Sequence, residues 1–129
     1  SKTLTLESNG VLATPSGVPA GVIIDASSAN NVPMTQNNYV DFNNFSGEII
    51  ANDITDGYVY KFLVGSGKVC MLGCTNDAWD GSHPTPSASY TLSGQFTIEY
   101  VGAYSLYRFT NLRARRDYAF AAIKTRNGA

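Results

Sequence analysis

The chain has 129 residues, of which 15% are charged and 12% aromatic, with a formal net charge of −1. That length fits one domain with a modest core, and the charge excludes electrostatic capture of nucleic acid, which needs a basic excess able to displace counterions from many phosphates. The uncharged stretch Val11 to Ile24 is interrupted by Pro15, Gly17, Pro19 and Gly21, so neither membrane insertion nor a signal peptide is expected.

Taken in chain order, Thr3–Leu6 and Val11–Leu12 flank Ser8-Asn-Gly10 and predict a small hairpin, because Asn-Gly supplies the positive φ of a tight turn. Thr14-Pro-Ser-Gly-Val-Pro-Ala-Gly21 carries no regular pattern, Val22–Asp25 predicts a short strand, and the Asn-rich run through Asn38 predicts loop. A compact monomer seldom holds so much loop, so residues 1–40 read as an extended arm or stalk segment laid along a neighbouring subunit.

From residue 41 to 129 no window sustains helical periodicity, whereas period-2 apolar runs bounded by Gly, Asn, Asp and Ser recur. The chain is therefore expected to be all-β. Strands are predicted at Gly47–Asn52, Tyr58–Val64, Lys68–Leu72, Ser89–Leu92, Gln95–Val101, Tyr104–Thr110 and Arg116–Thr125. Asp53-Ile-Thr-Asp-Gly57 and Gly65-Ser-Gly67 are hairpin connections, which makes their neighbours antiparallel. The last of these strands is apolar on both faces, with Tyr118, Phe120 and Ala122 alternating with Ala119, Ala121 and Ile123. Such strands are sandwiched, either between two sheets of one chain or between copies of the chain.

Cys70 and Cys74 are the only cysteines. In a regular strand they would share a face about 13 Å apart, too far for a disulfide, and with one histidine they fall short of the four ligands of a structural zinc site. They read as buried small hydrophobes made in a reducing compartment. No metal and no cofactor are expected.

One long connection, Gly73 to Ser87, gathers Asn76, Asp77, Trp79, Asp80 and His83 in a short space. An indole can stack on the apolar face of a sugar while Asp, Asn and Ser bond its hydroxyls, which makes these five residues candidate glycan contacts. In the competing reading Trp79 anchors its own loop, with Asp77 and Asp80 bonding turn amides. The pairs Asp53/Asp56 and Asp77/Asp80 could reach the carboxylate spacing of a glycosidase, but both lie in turn sequences, and no nucleophile elbow surrounds a serine. Arg113, Arg115 and Arg116 form the one basic cluster; alternation on a strand splits them between faces, so they predict intersubunit ion pairs or an anion contact rather than a phosphate stripe.

The segments Phe42–Asn52, Phe62–Thr75, Tyr107–Asn111 and Tyr118–Ala129 resemble the C-terminal or stalk β-modules of bacteriophage tailspikes and tail fibres, including those attached to capsule-degrading endosialidases. The resemblance covers residues 40–129. It implies an antiparallel β-sandwich-like module in an intertwined homotrimer, made in the bacterial cytoplasm and carried on the virion tail. It also implies that any depolymerase lies in a separate domain, so that this chain is not an enzyme but supports trimer assembly, with host surface polysaccharide as a further partner. A monomeric β-sandwich carbohydrate-binding module and a purely structural trimer cap are the alternatives.

Overall fold

The computed structural model describes residues 31–82 and 84–126, together with the backbone of Asn127 and of the strand segments 5–6, 12–13, 22–23 and 28–30. Twelve strands follow in order: β1 (Thr5–Leu6), β2 (Leu12–Ala13), β3 (Val22–Ile23), β4 (Ser28–Met34), β5 (Tyr39–Asn43), β6 (Phe45–Asp53), β7 (Tyr58–Gly65), β8 (Lys68–Cys74), β9 (Ser89–Leu92), β10 (Phe96–Val101), β11 (Leu106–Asn111) and β12 (Arg116–Asn127). A 3-10 turn, Gly102–Tyr104, joins β10 to β11. The short strands β1 and β2 pair antiparallel as the Asn-Gly signal predicts.

The other ten strands form two five-stranded sheets, β3-β5-β11-β10-β9 and β4-β12-β6-β7-β8. All pairings are antiparallel except that of β3 with β5. The inner faces meet over one apolar core, and the expected sandwich-like all-β architecture is present. Strand β6 alternates strictly, Phe45, Gly47, Ile49, Ala51 and Asp53 pointing in, as a strand does when one face is buried.

Aromatic rings link the two layers. Phe96 of β10 lies 4.6 Å from Tyr60 and 5.5 Å from Phe62 of β7, and Phe109 of β11 lies 5.2 Å from Phe120 of β12. Within one sheet, Phe96 and Phe109 stack at 5.1 Å. These offset and edge-on contacts are the geometry that ring quadrupoles favour, adding about 0.5–1.5 kcal/mol per pair beyond burial.

The hairpin turns follow their sequences. Ser66 and Gly67 both have positive φ, 52° and 72°, as a two-residue turn between right-twisted strands requires. The structure departs from the sequence reading in the Asn-rich segment. Residues 28–34 are a strand rather than a loop, paired with β12 at the edge of the second sheet, with Val32 and Met34 fully buried. Pro33 is tolerated there because an edge strand need not donate on its open side. Tyr39–Asn43 is likewise a strand, and the strand expected to begin at Tyr104 begins at Leu106. The boundary drawn at residue 40 thus falls inside the sandwich, which takes in β4; residues of the expected arm between the short strands lie outside the described residues.

A bulge in β8 alters the cysteine geometry. Lys61 pairs with Gly73 but Phe62 pairs with Met71, leaving Leu72 as an extra residue. One added residue inverts the facing of everything beyond it. Cys70 therefore lies opposite outward Leu63, and Cys74 opposite inward Tyr60. The two do not share a face, contrary to the regular-strand expectation; both are free thiols and only partly buried.

Candidate functional site

The long connection runs along the edge of β8 and closes the side of the sandwich between β8 and β9. Ser87 and Val69 exchange backbone hydrogen bonds at 2.7 and 3.2 Å, and the Cys70 thiol donates to the Pro84 carbonyl at 3.5 Å. Asn76 is buried; its side-chain amide donates to the Tyr60 hydroxyl at 2.8 Å, and its carbonyl oxygen accepts from the Ala78 amide at 2.9 Å. Trp79 packs against the aromatic core and hydrogen-bonds with the Tyr90 side chain. Asp80 accepts from both the amide and the hydroxyl of Ser82, and the latter contact at 2.6 Å holds its carboxyl below the usual range. Asp77 is exposed, and His83 lies outside the described residues. Trp79 and Asn76 are thus tied into the fold, leaving the two aspartates at the surface.

The arginines converge with the other aspartate pair. The Arg116 guanidinium donates to Asp53 at 2.8 Å and to Asp56 at 2.6 Å, while Arg113 reaches Asp56 at 2.5 Å and Asp53 at 3.7 Å. Asp53 has no exposed surface and Arg116 is 8% exposed. Asp53 also accepts the Asp56 amide at 3.1 Å, so the β6–β7 turn is closed from within and clamped from the β11–β12 connection. The Asp56 carboxyl is held below its ordinary value chiefly by the hydrogen bond from Arg116. Two arginines and two aspartates neutralise one another inside one chain, and Arg115 is exposed nearby. Beside them buried Asn111 donates to the carbonyls of Met34, Thr35 and Arg113, fixing β4 to the same end of the sandwich.

The two outer faces differ in character. On the first sheet, Asp41 and Arg108 form a bidentate pair at 2.8 and 3.1 Å, Arg108 lies 3.9 Å over the Tyr39 ring, and Thr91 bonds Thr97 at 2.8 Å. The side chains on that face are polar and bonded to one another. The second sheet turns outward Ala119, Ala121 and Ile123 of β12, Ile50 of β6, and Val59 and Leu63 of β7, as their register positions require. Ile123 is 50% and Leu63 48% exposed. The ion pair that crosses this face, Lys61 to Glu48 at 3.1 Å, is solvent-accessible and of the kind that contributes little to stability.

A groove of 570 Å³ opens in this second face at the end marked by the β7–β8 turn. Ile123, Glu48, Leu63 and Cys70 are cross-strand neighbours along its floor, and Lys68 and Pro86 stand on its rim. Gly47 lies under it with φ of 152°, where a Cβ would come within 1.9 Å of the Ile123 carbonyl oxygen. The close passage of β6 and β12 that shapes the floor thus depends on that glycine. Sequence reading identified the two-faced strands that create the surface but assigned no site to it; the signal was the second apolar row of β12. Among the described residues no three His, Cys, Asp or Glu side chains gather where a metal could bind. Searches against protein-family models, curated proteins and solved structures find no match for this chain.

Proposed function

We propose that the chain is a noncatalytic β-sandwich module that assembles with copies of itself, as a homotrimer covering the outer face of the β4-β12-β6-β7-β8 sheet. The observation that carries this reading is the outer face of the second sheet, where Ile50, Val59, Leu63, Ala119, Ala121 and Ile123 lie around the Lys61–Glu48 pair, against the polar outer face of the first sheet. An antiparallel sheet facing water turns polar residues outward, whereas β12 turns outward the unbroken row Ala119, Ala121 and Ile123, and an apolar row left on a sheet face marks an interaction surface.

The size of the face agrees. Five strands spaced ~4.8 Å and the nine residues of β6 rising ~3.4 Å each give a projected area of about 600 Å². A pleated surface exposes more than its projection, which brings the face near the roughly 800 Å² per partner of a standard interface. The resemblance of residues 40–129 to phage tailspike and tail-fibre β-modules supports the same role, that of a trimerising module on a virion tail. Light scattering coupled to size-exclusion chromatography tests it: a native mass of three chains is expected, falling to one chain in Leu63→Lys. A single-chain mass for the unaltered protein overturns the proposal.

A further inference from the structure

We propose that the groove at the end of the apolar face receives Tyr104 from the neighbouring copy, a knob-in-groove contact that closes the ring of subunits. The inference rests on the self-assembly reading and specifies its contact. Among the described residues Tyr104 is the most exposed large hydrophobic side chain, at 70%. It sits in the 3-10 turn between β10 and β11, and the turn ends at Ser105, a non-glycine residue held at φ 50° and ψ 57°. Left-handed backbone at such a residue costs about 1 kcal/mol or more and persists where the surroundings impose it. Here Ser105 donates its amide to the Gly102 carbonyl at 3.3 Å and accepts the Asn44 amide at 3.1 Å. The turn is thus closed on itself and tethered to the start of β6. A tyrosine carried on a backbone fixed in this way has little main-chain freedom left to lose on binding, which is the character of a binding anchor.

The groove offers what such a knob requires. Its 570 Å³ exceeds the volume of one aromatic side chain, and on its floor the apolar Ile123, Leu63 and Cys70 surround Glu48, whose carboxylate is paired with Lys61 at 3.1 Å. Lys68 on the rim is exposed and can donate to the phenolic oxygen, so the ring enters apolar surroundings while its hydroxyl remains at the wet margin.

The positions of knob and groove suit a cyclic contact. Knob and groove occupy the same end of the sandwich: β11 begins opposite the last residue of β5, the chain then enters β6 through Asn44, and the first residues of β6 pair with the ends of β7 and β12 that line the groove. They nevertheless belong to different sheets, with Tyr104 at the tip of the first and the groove on the outer face of the second. A head-to-tail contact closes into a ring only if its two halves lie at one height along the axis; a knob and groove at opposite ends would propagate a filament instead. The area estimated for the whole face fits the same arrangement, with the groove at one end of it.

The test replaces Tyr104 by the photoreactive p-benzoylphenylalanine in the full chain, mixes it with isotope-labelled unaltered chain, irradiates, and maps inter-copy adducts by mass spectrometry. Adducts to segments 46–48, 63–70 or 123–125 of the other copy, in a species of three-chain mass, are expected. In parallel, Tyr104→Ser should raise the concentration at half-assembly about 30-fold, the effect of losing one anchor residue. A three-chain mass with adducts elsewhere, or an unchanged assembly midpoint in Tyr104→Ser, overturns the knob-in-groove contact and leaves the self-assembly reading standing. An open series of larger masses overturns ring closure. A one-chain mass for the unaltered protein overturns both.

Discussion

Asp53→Ala isolates the energetics of the ionic clamp. The carboxylate is fully buried and makes a 2.8 Å charge-assisted bond to Arg116, with a second bond at 3.1 Å from the Asp56 amide. Removing one member of a buried pair costs about 3–5 kcal/mol, because the remaining charge is left desolvated. Arg116 keeps its 2.6 Å contact with Asp56, which places the expected loss at the lower end, about 3 kcal/mol. For a chain of this length that lowers the melting temperature by about 10 °C. Urea unfolding at fixed chain concentration measures the loss, the concentration being fixed because assembly contributes to apparent stability. The cycle with Arg116→Met separates the pairwise term from the cost of each single change. A loss under about 1 kcal/mol, or no coupling between the two positions, would refute the reasoning by placing the pair among exposed, screened ion pairs.

Gly47→Ala should destabilise by about 3 kcal/mol, since it combines strain at a positive φ with a Cβ 1.9 Å from a backbone oxygen; thermal unfolding reads the effect, and an unchanged melting temperature contradicts the close approach of β6 and β12. Asn76→Ala removes the bonds to the Tyr60 hydroxyl and the Ala78 amide and should cost about 1–3 kcal/mol while raising proteolysis of the Gly73–Ser87 connection; an unaffected cleavage pattern would detach Asn76 from loop anchoring. Stability should also fall at both pH extremes. Asp56 titrates below its ordinary 3.8 in the folded chain, so its contribution is complete above that pH and is lost as acid protonates it, and Asp56→Asn should flatten the acid limb of a melting-temperature profile. Tyr118 is shifted upward by burial, so its contribution is complete below about pH 10 and is lost as alkali ionises it; a profile level through both limbs would contradict these environments. Finally, the opposed facing of Cys70 and Cys74 predicts two titratable thiols per chain on denaturation without reductant, and a count of zero would contradict it.

Much of the fold was legible because period-2 patterning and turn chemistry act locally. Tyr60, Phe62 and Val64 alternate with Lys61 and Leu63 whatever lies opposite, and Asp-Gly and Ser-Gly fix reversals within a few residues. The segment Ser28–Met34 was not legible in the same way. Its asparagines and proline disfavour a strand locally, and its order comes from pairing with β12, more than 80 residues away, and from the burial of Val32 and Met34.

The candidate sites divide similarly. The sequence by itself determined that Asp53 and Asp56 would close a turn, that Trp79 belonged either to a ligand or to its own loop, and that β12 carried two apolar rows. Tertiary structure decided between partners. It brought Arg113 and Arg116 onto the Asp53 turn across 60 residues of chain, set Trp79 against the core and Tyr90, and turned Cys74 inward through a one-residue bulge. It also assigned one apolar row of β12 to the core and left the other on the outer face of a sheet. The physical reason is range: backbone preference and side-chain alternation are properties of neighbouring residues, whereas burial, ion pairing and facing beyond a bulge depend on which strand lies opposite, and that is fixed only when both sheets have formed.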